Sequence, residues 1–394
     1  MKFLRTVSTR RLLALIAGVV VAVGGGTAIA LAASSSGPVP QPKPLASAVH
    51  DALGAPQVKG ITARISFTNH LIDSSSIQGA DPILSGATGR LWLAPGKLRL
   101  ELQSDSGQDA QVVVSQGSFW IYDPASNTAY QGKLPSDGKR TSGSDKIPSV
   151  AQIQADLTRL ARSVNLSGAI PGDVAGQGAY SVRVSPRHDG GMLGTAQLAW
   201  DAVRGVPLRF AIYARGQTSP VIELKATNIS YGSVPASNFT ASPPSGAKIE
   251  KVTLPTDEHS AKGSRHGHHQ VTGAAAVAKR LPFKLTSPAK LVGLPRRSVS
   301  LVSWGSTPAA VVTYGQNLGG IAVIEQAAPN ASSGQMPGGP AGGLNLPTVS
   351  INGATGHELD TALGSVVTFT RNGVSFTVLG SVPAAAADLA ARAL

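Results

Sequence analysis

Apolar and polar residues alternate along much of this sequence, and this pattern limits the fold more than any other feature. Every second residue is apolar at 61–68, and comparable alternation returns at 98–103, 118–121 and 208–213. Successive side chains of a β-strand point to opposite faces, so these runs describe a sheet with one apolar face and one polar face. Glycine and proline segments separate the runs. The pattern predicts a mainly β fold in which consecutive strands pair in antiparallel fashion.

Two segments with helical periodicity are available to cover the apolar face. Residues 44–53 form a short one, and residues 149–164 form a longer one that opens with a capping box at Ser149 and Gln152. Two helices over roughly ten strands leave part of the face uncovered, which predicts an apolar cavity suited to acyl chains. The candidate ligand-binding residues are Ile65, Phe67, Leu91, Leu93, Leu98, Leu100, Phe119, Ile121, Leu208, Phe210 and Ile212. Trp92, Trp120 and Trp200 either flank the cavity mouth or pack in the core or on the outer surface.

The composition agrees with a folded β protein and excludes several chemistries. Of the 394 residues, 42% are apolar and 14% are charged, so the chain can bury a core. The 45 glycines and 27 prolines suit a fold with many turns. Cysteine is absent, which excludes disulfide bonds, thiolate metal sites, cysteine nucleophiles and a lipidated N-terminal cysteine.

The formal net charge of +13 is concentrated in two segments. Residues 1–42 contain four basic and no acidic residues, and residues 259–324 contain eight basic and no acidic residues. The rest of the chain has 22 basic and 21 acidic residues. A duplex-binding protein needs a domain-wide basic face, so this distribution predicts no nucleic-acid partner.

The N-terminal segment predicts export from the cytoplasm. Residues 12–33 carry no charge and follow the four basic residues, and they are long enough to span a hydrocarbon core of ~30 Å. Ala30-Leu31-Ala32 also reads as a cleavage site. Residues 1–33 are therefore either a signal peptide or an N-terminal membrane anchor, and residues 34–44 form a linker. Both alternatives place the remaining chain in an extracytoplasmic compartment, attached to the membrane if the segment is not cleaved.

Four motifs follow one another between residues 89 and 248. They are Gly89-Arg90-Leu91-Trp92-Leu93-Ala94-Pro95, Gln116-Gly117-Ser118-Phe119-Trp120-Ile121-Tyr122-Asp123-Pro124, Gly205-Val206-Pro207-Leu208-Arg209 and Pro243-Pro244-Ser245-Gly246-Ala247-Lys248. In this order and spacing they resemble the LolA-like and RseB (MucB)-like superfamily of periplasmic lipoprotein carriers and sensors. The resemblance covers about residues 45–250. It implies a strongly curved antiparallel half-barrel sheet covered by helices, with a hydrophobic cavity between them.

One departure from the LolA pattern distinguishes the lipoprotein carriers of this superfamily from the sensors. In LolA the residue before the proline of the first motif is an arginine that bonds to the lid, and here it is Ala94. RseB also has a second, smaller C-terminal domain. The resemblance therefore implies an RseB-like sensor, with a lipid or acylated protein as ligand and a membrane-bound anti-sigma-type regulator as partner. A LolA-like carrier, and a structural interaction module whose core is filled by its own side chains, remain the alternatives.

The sequence divides further after the half-barrel domain, which we assign to residues 45–254. Residues 255–279 contain four histidines among basic residues and no apolar periodicity. This tract is a metal-binding segment, a site for anionic headgroups or, as we prefer, a solvated linker. Residues 280–394 predict a small α+β domain, with hairpins around 315–319 and 371–373, a Gly/Pro-rich insert at 332–343 and a helix after Pro383.

Catalytic motifs are incomplete throughout the sequence. His357-Glu358-Leu359-Asp360-Thr361 begins like a zinc-protease helix but lacks the second histidine. Ser287-Pro288-Ala289-Lys290 matches a serine hydrolase motif, yet its proline breaks the helix that would align serine and lysine. The sequence predicts a non-enzymatic, extracytoplasmic lipid- or lipoprotein-binding protein that needs no cofactor and no metal.

Overall fold

A computed structural model describes residues 38–72, 86–103, 109–124, 126–134, 147–252, 271–304, 307–328 and 346–394. These residues form two β-sheets, of thirteen and eight strands, and each sheet has its own apolar core. The fold is mainly β with a few helices, and it contains a curled antiparallel half-barrel sheet, as the sequence predicts.

The first sheet comprises strands β1 to β13. Their bounds are β1 (Ile61–Asn69), β2 (Ala87–Ala94), β3 (Lys97–Gln103), β4 (Asp109–Ser115), β5 (Ser118–Asp123), β6 (Thr128–Lys133), β7 (Val164–Leu166), β8 (Ile170–Val174), β9 (Gln177–Pro186), β10 (Leu193–Asp201), β11 (Pro207–Ala214), β12 (Ile222–Tyr231) and β13 (Lys248–Val252).

The order of strands in this sheet is β13-β6-β5-β4-β3-β2-β1-β12-β11-β10-β9-β7, and β8 pairs with β9. Two antiparallel meanders, β1–β6 and β9–β12, are joined because β1 pairs with β12, where Ile61 lies opposite Tyr231. The prediction of consecutive pairing holds within each meander. It fails at the β6–β13 pair, which is parallel. β13 reaches this edge through a long connection that contains the 3-10 helix Ala236–Phe239, and a parallel pair cannot be closed by a hairpin.

Helices α1 (Leu45–Gly54) and α2 (Val150–Leu160) are associated with the first sheet. The predicted capping box of α2 is present, since Ser149 Oγ accepts from the Gln152 N–H and Gln152 Oε1 accepts from the Ser149 N–H. The helix ends at Leu160, earlier than predicted, because residues 164–166 continue as β7. α1 buries Ala48 against the Tyr180 and Trp200 rings.

The second sheet comprises strands β14 to β21. They are β14 (Lys290–Leu291), β15 (Leu294–Trp304), β16 (Thr307–Tyr314), β17 (Ile321–Ala327), β18 (Thr348–Ile351), β19 (Ala354–Thr361), β20 (Gly364–Arg371) and β21 (Val374–Gly380), in the order β14-β15-β16-β17-β21-β20-β19-β18. Helices α3 (Ala274–Ala278) and α4 (Ala384–Arg392) accompany this sheet. Both predicted hairpins are present, as β16–β17 and β20–β21. The helix predicted after Pro383 is α4, and His357 to Thr361 lie in β19.

The two sheets touch at the β9–β10 loop of the first and the end of β21 in the second. The Met192 N–H donates to Ser381 O and Ser381 Oγ, at 3.0 Å each. A β-carbon at Gly191 would lie 2.2 Å from Ser381 O, so the contact requires glycine at this position.

Several predicted segments lie outside the described residues. They are the N-terminal segment at 1–33, most of the His/basic tract and the insert at 332–343. Among the helices that the structure does describe, none has the length and apolar character needed to cross a membrane.

Candidate apolar binding site

The predicted ligand-binding residues share one face of the first sheet. In one row across five strands, Phe119 is followed by Val114, Leu98, Leu93 and Ile61, each the partner of its neighbour. A parallel row runs through Ile121, Val112, Leu100, Leu91 and Ala63. A third row connects Phe67, Leu224, Phe210, Leu198 and Val182. The alternation in sequence therefore identifies a continuous apolar face.

Most of the predicted residues are used by the core of the sheet. Ile65, Leu98, Leu100, Phe119, Ile121 and Leu208 are buried members of one apolar cluster, and Leu91 and Leu93 pack against it. Phe67 is buried as well, and Ile212 is half-buried. Phe210 differs from the others because 40% of its surface is exposed. Whether these residues contact a ligand stays a prediction.

An apolar pocket of about 530 Å³ lies between α1, α2 and strands β9 to β11. This volume is within the ~300–1,000 Å³ range of small-molecule sites. The pocket is lined by Val49, Ala52 and Leu53 of α1, by Ile153, Asp156, Leu157 and Leu160 of α2, by Val184, Ala196, Gln197, Leu198, Trp200 and Phe210 of the strands, and by Pro148, Gly205 and Pro207. Of the eleven predicted ligand-binding residues, only Phe210 contributes to this lining.

Helix α2 covers the pocket without burying its own apolar face. Ile153 is the one buried residue of this helix. Val150 and Leu160 are 39% and 47% exposed, and Phe210 on the facing strand is 40% exposed. Exposed apolar residues beside a concave site leave apolar surface in contact with water. Helix α2 therefore covers the pocket only in part, and the space beneath the helix is not filled by its side chains.

The connections of α1 and α2 to their surroundings are polar and specific. The His50 ring donates from Nδ1 to Pro148 O at 2.9 Å, which links α1 to the residue before the α2 cap. Arg187 donates to Ala161 O at the other end of α2. Gly205, with φ of 65°, lies so near the end of α1 that a β-carbon would be 2.2 Å from Ala52 O. These contacts hold both helices over strands β9 to β11.

Asp201 fixes the turn that forms one wall of the pocket. This buried carboxylate accepts the N–H groups of Val203 and Arg204 at 2.8 Å and the hydroxyl of Tyr231 at 2.7 Å. Burial, together with the hydrogen bond to Asp201, raises the pKa of the Tyr231 hydroxyl. Tyr231 therefore stays a neutral donor, and the turn from Asp201 to Gly205 keeps its shape.

Polar chemistry in the pocket is sparse. Asp156 is its charged lining residue, and it is paired with Arg159 at 2.9 Å. No group of three or more His, Asp or Glu side chains that could hold a metal ion occurs among the described residues. The pocket can therefore bury the surface of an apolar chain, but it can form few directed hydrogen bonds with a ligand.

The three tryptophans considered for the cavity mouth have three different positions. Trp200 lines the pocket and is 2% exposed. Trp120 is buried, with Nε1 donating to Ala241 O at 2.9 Å. Trp92 lies on the polar face of the sheet between two arginines. Trp200 and Trp120 are thus core residues, of which Trp200 also lines the pocket, and Trp92 is on the polar face.

Sequence reasoning missed the pocket residues on the helices and on β9 and β10. One signal for them was present, since Ile153, Leu157 and Leu160 form the apolar stripe of α2. A stripe of this kind covers part of a sheet, and the lining residues are found beneath it. Which strands lie beneath the helix depends on pairings between residues far apart in the chain.

Solved structures similar to this one include MucB and proteins of the LolA superfamily. The MucA/MucB complex of Pseudomonas aeruginosa covers 88% of this chain and 96% of the matched chain, with 18% identity and a TM-score of 0.41. MucB in complex with MucA(peri) matches at 16% identity and a TM-score of 0.40, over 88% of this chain and 94% of that chain. A LolA superfamily protein from Nitrosomonas europaea covers 51% of this chain and 99% of its own length, with 9% identity and a TM-score of 0.20.

The MucB (RseB)-like and LolA-like proteins that the sequence motifs resemble are thus both found among similar structures. No protein-family model matches the chain, and no curated protein matches it.

Proposed function

We propose that this protein is a non-enzymatic, extracytoplasmic binding protein that holds an acyl chain of a lipid or of an acylated protein under helix α2. One observation carries the proposal: an apolar pocket of about 530 Å³ is covered by a helix whose own apolar residues remain half exposed. An acyl chain in this pocket would take apolar surface of Leu160 and Phe210 out of water. Burial of this kind contributes about 25 cal/mol per Å².

The composition of the lining determines the expected selectivity. Because Asp156 is already paired and the other lining side chains are almost all apolar, few groups can distinguish one chain from another. We expect affinity to rise with chain length until the pocket is full, and to depend little on the headgroup.

We further propose that the protein acts as an RseB-like sensor, in which the second sheet contacts a membrane-bound regulator of the anti-sigma type. The order of the sequence motifs supports this role, as does Ala94 in place of the lid-binding arginine of LolA. Titration of a purified candidate regulator distinguishes the two branches: an acyl ligand that changes the regulator's affinity indicates a sensor, and delivery of the ligand to acceptor vesicles indicates a LolA-like carrier. N-terminal sequencing of the exported protein distinguishes a cleaved signal from an anchor.

A pair of matched variants tests the binding site. Leu160 on α2 and Leu389 on α4 are both exposed helical leucines, at 47% and 59%, and only Leu160 lines the pocket. We expect Leu160→Gln to weaken binding of a fluorescent fatty acid about fivefold, since about 1 kcal/mol of apolar burial is lost. Leu389→Gln should bind as the unmodified protein does. Equal affinities for the two variants would place the ligand elsewhere.

A further inference from the structure

The polar face of the first sheet carries an uneven distribution of charge. Strands β1, β2, β3, β11 and β12 together contain six basic and two acidic residues. All eight occupy positions that alternate with the apolar face, so they project from the opposite side of the sheet. The near-equal count of basic and acidic residues outside the two charged segments hides this local excess.

The first acidic residue of this face is already shared between two arginines. Glu101 lies 3.1 Å from the Arg90 guanidinium and 2.5 Å from that of Arg99. The Trp92 ring lies between the two arginines, with its centroid 5.4 Å from each guanidinium. These contacts hold the Arg90 guanidinium in place while leaving 55% of its side chain exposed. A guanidinium held in this way loses little conformational entropy when it binds.

The second acidic residue is shared in the same manner on the other side of β1. Glu223 is 2.5 Å from Arg209 and 3.4 Å from Lys225. Each of the two carboxylates therefore balances one of the two cations that it contacts, and each cluster keeps an excess of one positive charge.

Arg64 lies on β1 between these two clusters and faces Arg90 directly across the β1–β2 pair. Its side chain is exposed, and within the described ranges it makes no hydrogen bond or ion pair. Directly opposite residues of an antiparallel pair have β-carbons about 5 Å apart, and like charges in this position destabilise a sheet. Arg64 therefore faces a like charge and has no carboxylate of its own in the described part of the chain, a local conflict of the kind found at functional sites.

We propose that Arg64 and Arg90, with Lys225 beside them, form a docking surface for an acidic segment of a partner protein. Guanidinium groups bind carboxylates through paired, charge-assisted hydrogen bonds. Glu101 and Glu223 are buried beneath these cations, so the surface presents the guanidinium and ammonium groups to solvent, and the spaced carboxylates of an acidic peptide can pair with them. The surface is on the face of the sheet opposite the apolar pocket. The proposal therefore does not rest on lipid binding.

A charge reversal at Arg64 tests this surface because its effects on stability and on binding have opposite signs. Arg64→Glu places a carboxylate opposite Arg90, so the thermal stability of the full chain should stay the same or rise. Binding of a labelled peptide of alternating glutamate and serine, followed by fluorescence anisotropy at low salt, should become at least about tenfold weaker. Arg297→Glu is the matched control, since Arg297 is exposed on the second sheet and the change in charge is the same. It should alter binding by less than about twofold.

Three results would overturn the proposal. In the first, the unmodified protein binds the acidic peptide no more tightly than a glutamine and serine peptide. In the second, the two variants lose affinity equally, which would indicate attraction to net charge alone. In the third, vesicles containing phosphatidylglycerol bind the protein and the acidic peptide does not. If vesicle binding then depends on Arg64, the surface binds a membrane and not an acidic protein segment. Fatty-acid binding should be the same in all three proteins, so a failure here is distinguishable from a failure of the pocket.

Discussion

At the scale of single residues, Glu325 is the most unusual group in the second sheet. Its side chain is fully buried in β17, and Oε2 accepts the Thr286 N–H at 2.8 Å. Oε1 of Glu325 and the hydroxyl of Tyr314 have no hydrogen-bond partner in the part of the chain that the structure describes. Burial raises the pKa of Glu325 to about 7, and the bond from Thr286 opposes this shift. The same carboxylate contributes to raising the pKa of Tyr314 to about 12, although burial is the main cause.

The raised pKa of Glu325 predicts that stability falls as the pH rises. A carboxyl whose pKa is higher in the folded state than in the unfolded state stabilises the fold fully below its unfolded pKa and loses this contribution as the pH rises through the folded value. We therefore expect the free energy of unfolding of the full chain to fall by roughly 3 kcal/mol between pH 4.5 and pH 8, measured by urea denaturation. Glu325→Gln should remove this dependence, and the control Glu250→Gln should keep it. A Glu325→Gln variant with the original pH dependence would contradict the assignment.

Val292 carries backbone strain that the equivalent turns of the same sheet avoid. Asn352-Gly353 and Asn372-Gly373 occupy two-residue hairpin turns with φ of 50° at both asparagines, and Val292 adopts φ of 43° in the turn between β14 and β15. A β-branched residue is strained in this left-handed region, whereas asparagine tolerates it.

Val292→Asn should therefore raise the free energy of unfolding by about 1 kcal/mol. Thermal and urea denaturation of the full chain measure this change. Val203 is a suitable control, because it is also an exposed turn valine, at 72%, and has no positive φ. A gain in stability for Val203→Asn as large as that for Val292→Asn would show that polarity, and not backbone strain, is the cause.

At the scale of secondary-structure elements, α2 depends on its cap more than on burial. With Ile153 as its one buried residue, this helix gains little from packing, so the reciprocal bonds between Ser149 and Gln152 matter more than in a buried helix. Helix α2, which covers the pocket, should therefore unfold locally more readily than the strands of the first sheet.

Removal of the cap should open the cover while the sheet remains folded. Ser149→Ala is expected to cost about 1 kcal/mol of local helix stability. Hydrogen exchange of the amides of residues 150–160 should become several times faster, with little change in the exchange of β1 to β5. Ser149→Asp retains a capping oxygen and should exchange as the unmodified protein does. Unchanged exchange in Ser149→Ala would mean that α2 is held by other contacts.

Elements with a local sequence signal could be predicted, and elements that depend on distant pairing could not. The α2 cap, the Asn372-Gly373 turn and the α4 ion pair between Asp388 and Arg392 involve residues at most four positions apart, so the sequence contains the whole interaction. The β1–β12 pair brings Ile61 to Tyr231, and the parallel β6–β13 edge brings Ala129 to Ile249. Neither pairing has a local pattern that specifies it.

At the scale of the whole molecule, the difference between local patterns and distant pairing also explains why the pocket-lining residues were predicted only in part. Alternation identifies the face of a strand that turns away from water, and it placed all the predicted residues on one continuous face. It does not tell which part of that face is covered by the sheet's own curvature and which part by a helix. Phe119 and Leu98 therefore lie in the core of the sheet, whereas Phe210 lies in the part of the face that α2 covers and lines the pocket.

The central claim is that the pocket beneath α2 holds an acyl chain, and native mass spectrometry of the full chain after gentle extraction tests it most directly. We predict a bound species with the mass of a lipid or fatty acid, which is displaced by added fatty acid and is reduced in Leu160→Gln but not in Leu389→Gln. A protein that is always recovered without such a species, and that excludes added fatty acids, would contradict the account.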